Sequence, residues 1–524
     1  MPRTHLTVLE QAVSRDPSTT LFKVPVIDIV TGKVTNYEPI SVGQFAQDVD
    51  AAAKYWAHVL KRDGIPTKSV IGICLIGVQY IDAVNLYSVA RAGYIPHSFS
   101  GVRLPGAAVV KGLLQKSNAR AFIRYSDVKE VLKDIQEIPV YDSVTSIDDI
   151  AIYGESCLSP MSEMNENDIA IIFNTSGSVS GSPKLVTGTY RWLDALVQKH
   201  GGFSFGPSPG SSHIDIKNWV GSVCHVGQFS ALVFAIQRGS CVVQMKNCID
   251  EKEILAAIDL ASLNGLTLFA PLLVKMLALS KSDRDVLSSL VNLNSIISSG
   301  AALPRAEEEY ACRHNINIVN LFAMTESAGV MVFSRGTRMD PSNALYPVNF
   351  PGLSYQFVPV SSSREDSQFQ LLELVVLPDS IDCPDAEFLD PADGCFHTGD
   401  LWRQVENGYI YCGRNDDWIM CPSRCDTRAI EDNVRQTCSD LASDCIAVGN
   451  LRPSPVLFIE SKTNSSDDDV KKSVFERIEP FHSQRMPHER IKSSDMIVVV
   501  APNTLPRTAK GNIRRRAVED AYKE

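Results

Sequence analysis

The chain has 524 residues, 44% of them hydrophobic, and a formal net charge of −11. That length exceeds what one core supports and predicts two or three domains of ordinary soluble globular composition. The acidic balance, with no Lys/Arg-rich block, argues against nucleic acid or an anionic membrane as the main partner, and the 13 scattered cysteines argue for free thiols rather than a disulfide framework.

Residues 45–60 carry a helical stripe of Ala46, Val49, Ala53, Trp56 and Leu60, followed by the short apolar run 70–75 of a buried strand. A helix over 79–92, a strand at 119–123 and a helix over 128–138 continue the alternation, which predicts parallel α/β sheets with ligands at the carboxyl ends of strands. The apolar run 169–173 then enters the loop Asn174-Thr175-Ser176-Gly177-Ser178-Val179-Ser180-Gly181-Ser182-Pro183-Lys184. Small residues there let backbone N–H groups approach a polyphosphate, and Lys184 supplies a cation. The spacing does not fit G-x-x-x-x-G-K-[ST], and a plain turn is the bland alternative.

A strand-like stretch at 316–319 leads into Asn320-Leu321-Phe322-Ala323-Met324-Thr325-Glu326, where a Thr-Glu pair by itself reads as a helix cap. From residue 350 strands at 355–360, 371–377 and 408–411 replace helical stripes. Among them lie Phe396-His397-Thr398-Gly399-Asp400 and Gly413-Arg414-Asn415-Asp416-Asp417-Trp418-Ile419, which alone would be turns. The rest is a separate α+β lobe, with helices at 427–441 and 467–481 and strands at 445–448, 456–459 and 496–500. Asp467, Asp468 and Asp469 open the second helix, and Val470, Val474 and Ile478 form its buried stripe. Cys421 and Cys425 lack a second pair to complete a zinc set, the Arg514-Arg515-Arg516 run reads as solvated surface, and no apolar run reaches membrane-spanning length. The start of the chain lacks an apolar targeting core, so the expected location is cytoplasmic.

In their order and separation, these stretches resemble the motifs of the adenylate-forming superfamily: acyl-CoA synthetases, luciferases and adenylation domains of nonribosomal peptide synthetases. The loop is similar to T-S-G-[ST]-T-G-x-P-K with one residue inserted at Val179-Ser180; the later stretches resemble N-x-Y-G-x-T-E, [YF]-x-T-G-D and G-R-x-D-D-x-[IL]. The resemblance implies a large N-terminal α/β domain of parallel and mixed sheets over 1–415, with a β-rich subdomain at about 350–412, and a small mobile α+β domain over 416–524. It also implies binding of ATP by Thr175, Ser176, Gly177, Ser178, Lys184, Asn320, Phe322, Ala323, Thr325, Asp400 and Arg414. Phe322 would stack on adenine, Thr325 would bond the α-phosphate, Glu326 would hold Mg²⁺, Asp400 would take the ribose hydroxyls and Asp416 would be the hinge.

The final motif, Leu505-Pro506-Arg507-Thr508-Ala509-Lys510-Gly511-Asn512-Ile513-Arg514, resembles P-[KR]-T-x-x-G-K-[IV]-x-R, with Asn512 where the family places its catalytic lysine. Lys510, two residues earlier and on the same side of an extended segment, is the expected substitute. This motif and Cys425-Asp426-Thr427-Arg428-Ala429-Ile430-Glu431-Asp432 look closest to adenylation domains of fungal carboxylic acid reductases related to those synthetases. Family order places the acid pocket at Trp219, His225, Phe269, Ser299, Gly300, Ala301, Ala323 and Met324. Amino-acid-activating relatives carry a Phe-Asp-x-x motif near the first of these, and residues 219–228 contain none, so an aryl or small aliphatic acid without an α-amino group is expected. The implied reaction is formation of acyl-AMP, then transfer to the phosphopantetheine thiol of a carrier domain, with a reductase domain beyond it. The alternatives are a free-standing acyl-CoA ligase and, because of Asn512, a catalytically silent nucleotide-binding module.

Overall fold

Ser41 starts the first long helix, Val42–Arg62, by accepting the Gln44 amide at 3.1 Å, and Phe45, Val49, Ala53, Trp56 and Leu60 are buried along it. Helix and strand alternate from there in a computed structural model that describes every residue except 1, 105, 131, 134, 136, 151–164, 176–183, 202–213, 361–369, 407, 416–417, 422–423, 451, 464, 486, 508–512 and 523–524. The described chain divides into two units, one made of residues 1–177, 182–355 and 377–396, the other of 356–376 and 397–524.

The first unit holds two groups of strands. One is a six-stranded sheet in the order Val140–Asp142, Ala121–Arg124, Val70–Leu75, Ile95–Ser100, Ile169–Thr175 and Lys184–Thr189, parallel except for its last hairpin. The other has a parallel centre, Ile318–Met324, Ser295–Ser299, Gly265–Phe269, Ile216–Asn218, Cys241–Val243 and Thr20–Ile27. Antiparallel neighbours, Gly329–Ser334 and Val34–Ser41, flank that centre. Helices pack between the strand groups over a core that includes Phe22, Phe45, Trp56, Tyr87, Phe173, Trp192 and Phe229. The sheets are therefore mixed, with the parallel centres that the alternation predicts and antiparallel neighbours beside them.

The second unit contributes the strands Leu371–Val376, Phe396–Val405 and Gly408–Arg414, then the hairpin Trp418–Met420 with Arg424–Asp426. A three-stranded sheet follows, Ala442–Val448, Val456–Ser461 and Ile497–Val500, packed by helices Thr427–Thr437 and Asp467–His482. Ser466 caps the latter helix, three aspartates fill its first turn, and Val470, Val474 and Ile478 are buried.

Three expectations need correction. None of the described residues in 128–138 is α-helical: a short 3₁₀ turn, Ser126–Val128, ends there. The Arg124 guanidinium donates to the carbonyls of Lys129 and Leu132 at 3.3 and 3.2 Å, acceptors that a continuing helix would need. The helix expected over 427–441 ends at Thr437, where Cys438 leaves helical geometry at φ −124°. Arg515 is no solvated surface charge, for its side chain is 12% exposed and donates to Glu431 at 2.6 Å. Only Arg516 of that run is exposed.

Among the described residues every cysteine is a free thiol, and no helix is long and apolar enough to cross a membrane. Trp56 is fully buried in the first unit's core, so Trp56→Ala is expected to cost about 3–5 kcal/mol, read as a lower urea midpoint for loss of tertiary fluorescence and near-ultraviolet circular dichroism. A loss below about 1 kcal/mol would show that this helix does not anchor the core.

Candidate active site

Parallel pairing sets Phe269 opposite Ser299 and Ser298 opposite Asn320, so three strand ends lie side by side. Phe269 is 40% exposed although aromatic. Its ring runs past two glycines: a Cβ on Gly221 would stand 3.4 Å from its Cζ, and one on Gly300 would stand 2.9 Å from its Cδ1. Gly300 also has φ +81°, a conformation that favours glycine. Three of the expected pocket stretches thus meet at one aromatic ring.

Trp219 does not belong to that surface. Its backbone N–H donates to Val243 at 2.8 Å and its ring is fully buried, 6.0 Å from the ring of Phe22. The strand Ile216–Asn218 delivers Trp219 to the core, and Gly221, two residues on, takes the outward place. His225 is exposed at the start of helix Val226–Arg238, Ser299 is half-buried and Ala301 is exposed.

Asn320 to Met324 lie inside the strand Ile318–Met324, not after it, and no helix follows. The strand reverses into Gly329–Ser334 through Thr325-Glu326-Ser327-Ala328, with Met324 opposite Gly329. A bulge between Phe322 and Ala323 shifts the register, leaving Phe322 half-buried and Ala323 exposed. Thr325 and Glu326 are therefore presented on a tight reversal. The Asn320 amide donates to Glu308, a buried carboxylate that also accepts from Asn343 at 3.2 Å. Burial pushes the Glu308 carboxyl above the usual carboxylate range.

The candidate phosphate loop is closed at its base by Thr175 paired with Lys184; Ser176, Gly177 and Ser178 lie outside the described residues. Lys184 is exposed, with Nζ 5.7 Å from the Phe388 ring centroid. Next to Thr175, the Asn174 amide donates to the Ser98 carbonyl at 3.0 Å, which directs Oδ1 at His97 Nε2, 3.1 Å away. His97 Nδ1 lies 2.9 Å from the Ser117 hydroxyl, which itself donates to the Leu114 carbonyl at 3.1 Å. Burial lowers the His97 pKa to about 4, so the ring is neutral at physiological pH.

In the second unit, Asp400 sits opposite Arg414 across a bulged antiparallel pair. One of its carboxylate oxygens accepts from the Tyr411 hydroxyl at 2.9 Å and the other from Arg414 at 3.3 Å. Glu373 accepts the Gly399 N–H at 2.9 Å, and Thr398 donates to the Leu374 carbonyl at 2.7 Å, fixing the Thr-Gly-Asp turn to the neighbouring strand. Gly399, at φ +71°, has Arg414 3.2 Å from where a Cβ would stand. Asp416 and Lys510 lie outside the described residues. Sequence reasoning missed His97, Glu308 and Tyr411; the local sequence around each carries no motif.

Glu326 suits a divalent cation by its chemistry. It is a hard oxygen donor to which, among the described residues, no hydrogen bond or ion pair is made, and no group of three or more His, Cys, Asp or Glu side chains could form a protein cage. A single carboxylate fits Mg²⁺ held mainly by water and substrate phosphates.

Residues 37–354 match the family model described as AMP-binding enzyme, and residues 420–524 match the AMP-binding enzyme C-terminal domain. The AMP-binding domain-containing enzyme iboA of Amanita muscaria (strain Koide BX008) is 30% identical over 96% of this chain and 98% of its own length. The fold is similar to that of o-succinylbenzoate CoA synthetase from Bacillus subtilis in complex with its acyl-adenylate intermediate, at a TM-score of 0.75, 15% identity and 99% coverage of each chain. It is similar as well to McyG A-PCP complexed with phenylalanyl-adenylate, at a TM-score of 0.74 and 14% identity over 100% of this chain and 83% of that one.

His97 gives the neighbourhood of the loop a pH signature. Its folded pKa of about 4 lies below the 6.5 of an unfolded histidine, so the unfolded chain takes up the proton first as pH falls. Stability is expected to drop from pH 6.5 downward, by about 2 kcal/mol for this group at pH 5, levelling below 4. His97→Asn, with no such proton to gain, should lose correspondingly less in urea titrations at pH 7 and pH 5; identical losses would contradict the burial argument.

Proposed function

This chain belongs to the AMP-binding enzyme family of acid-adenylating ligases, and from that premise we propose that it activates an aryl or small aliphatic acid without an α-amino group and passes the acyl group to a phosphopantetheine thiol. The observation that carries the substrate class is the exposed Phe269 ring between Gly221 and Gly300, beside a stretch, residues 219–228, that contains no acidic side chain. An apolar aromatic wall favours a flat or short acyl group, and a buried ammonium without a carboxylate partner would be costly. His225, Ser299, Gly300, Ala301, Ala323 and Met324 complete the proposed lining.

In the first step, a carboxylate oxygen of the acid bonds to the α-phosphorus of ATP, and pyrophosphate leaves with the electron pair of the broken P–O bond. Lys184 and the backbone of residues 175–178 would neutralise the phosphates, Thr325 would bond the α-phosphate, and Phe322, Ala323 and Asn320 would border the adenine. Asp400 and Arg414 would take the ribose hydroxyls. Mg²⁺ held at Glu326 would supply charge neutralisation on the phosphates. Lys510 is the proposed cation for the developing charge. Arg507, the nearest alternative, is tied to Asp444 at 2.7 Å and Glu460 at 2.6 Å, which leaves it poorly placed to substitute.

For the second step, residues 416–524 would rotate about Asp416 to admit the thiol, whose sulfur bonds to the acyl carbon while AMP leaves with the electron pair of the broken C–O bond and the thiol proton passes to solvent. The proposed acceptor is a carrier domain, as in an adenylation domain that feeds a reductase; free coenzyme A, which bears the same arm, is the second reading. The latter is supported by the fold shared with o-succinylbenzoate CoA synthetase.

Formation of acyl-AMP followed by mass spectrometry, with a phosphopantetheinylated carrier or coenzyme A as acceptor, tests both steps. Glu326→Ala and Asp400→Ala are each expected to lower acyl-AMP formation by about 100-fold or more without unfolding the chain, and near-parental rates in both would refute the nucleotide-site assignment. Lys510→Ala should cost roughly two to three orders of magnitude in adenylation while sparing transfer from supplied acyl-AMP, with Asn512→Ala far milder. A silent Lys510→Ala would move the catalytic cation elsewhere, and no acyl-AMP with any acid would favour a nucleotide-binding module.

A further inference from the structure

A buried ion pair that belongs to no sequence motif holds the turn carrying Thr325 and Glu326. Lys199, in the helix Tyr190–Gly201, and Asp382 are both fully buried, with Nζ 2.6 Å from a carboxylate oxygen. Lys199 also donates to the carbonyl oxygen of Ser327 at 2.5 Å, one residue beyond Glu326. Asp382 accepts in addition from the hydroxyls of Ser380 and Tyr355, and Ser380 in turn accepts the Ser354 N–H at 3.0 Å. The Lys199 ammonium lies 5.7 Å from the Tyr355 ring centroid.

Stability alone explains this arrangement poorly. Desolvating two opposite charges offsets most of their attraction, so an apolar pair of similar volume would commonly serve the fold as well. What an apolar pair cannot do is bind a backbone carbonyl. That carbonyl belongs to a turn with two successive left-handed residues, Ala328 at φ +51° and Gly329 at φ +85°, the first of them not glycine. Ala328 is fully buried in the main core. The turn is therefore pinned on one side by the core and on the other by Lys199, and the segment between Met324 and those pins is the one that presents Thr325 and Glu326.

We propose that the Lys199–Asp382 pair is a positioning device for the metal–nucleotide site: by holding the Ser327 carbonyl it fixes the reversal in the shape that aims Thr325 and Glu326 at the phosphates and their divalent cation. This rests on the assignment of Thr325 and Glu326 made above. Neither Lys199 nor Asp382 touches substrate in this account. Both act through the turn.

The test compares binding of MgATP with binding of ATP in excess EDTA, by titration calorimetry on the full chain. Lys199→Met combined with Asp382→Leu removes both charges together, so it avoids stranding one of them. The double variant is expected to melt near the parent, to bind MgATP about tenfold or more weakly, and to lose several-fold less for metal-free ATP, for which only the Thr325 contact is disturbed. Unchanged MgATP affinity in the folded double variant overturns the proposal, as does an equal loss for metal-free ATP. If the double variant does not fold, Tyr355→Phe decides: it removes one hydroxyl from Asp382, leaves both charges paired, and should weaken MgATP about threefold, and no change there overturns the proposal. Glu326→Ala, measured alongside, separates the two levels. If it leaves MgATP affinity intact, the role of Glu326 is wrong and the inference falls with it; if it weakens MgATP while the pair variants do not, only the positioning role falls.

Discussion

Parallel pairing of Gly265–Phe269, Ser295–Ser299 and Ile318–Met324 is the constraint from which the arrangement of the first unit's candidate site residues follows. Strands that run the same way must end at the same edge, and their connections return over the faces as helices. Phe269, Ser299 and the Asn320–Met324 stretch therefore emerge together although more than fifty residues separate the first from the last. The antiparallel reversal at Met324 and Gly329 then turns the chain back at that edge. Thr325 and Glu326, both half-buried, begin it, while Ser327 and Ala328 are buried beneath. In the six-stranded sheet a second antiparallel pair sets Thr175 opposite Lys184.

Carboxylates in this protein fall into two groups by their partners. Asp382, Asp400 and Glu308 are buried or nearly so, and each receives several donors, among them a lysine or an arginine. Such groups hold backbone and side chains in place, and stripping one partner from them is costly because a charge is left in a low-dielectric setting. Glu326 differs, since among the described residues nothing donates to it. A carboxylate that receives no donor among the described residues is suited to a ligand that arrives with its own positive charge. The rigid ion pair and the open carboxylate are thus complementary parts of one arrangement.

Much of the fold was legible because strands and helices are short-range patterns. The apolar run at 70–75, the stripe through Trp56 and the acidic start of Asp467–His482 each depend on neighbours within a few residues. The motif residues were legible for a related reason: their spacing along the chain is itself the signal. What escaped depends on partners far away. Arg515 reads as surface until Glu431, 84 positions earlier, is brought beside it. Trp219 reads as pocket until the strand before it is seen to deliver it to the core, against Phe22. In the pattern at 128–138 the carbonyls of Lys129 and Leu132 accept from Arg124, a partner the local sequence does not announce. Tyr411 and His97 stand in unremarkable sequence and acquire meaning only opposite Asp400 and Asn174.

The central claim is that the pocket beside Phe269 admits a carboxylic acid without an α-amino group and that the chain activates it with ATP. Exchange of labelled pyrophosphate into ATP, run over matched sets of aryl, short aliphatic and proteinogenic amino acids, addresses it most directly. The account predicts exchange with at least one aryl or aliphatic acid, and for that acid a kcat/KM at least about tenfold above its α-amino counterpart, the margin expected when an ammonium is buried without a partner. Faster exchange with a proteinogenic amino acid than with any acid of the other two sets would contradict it.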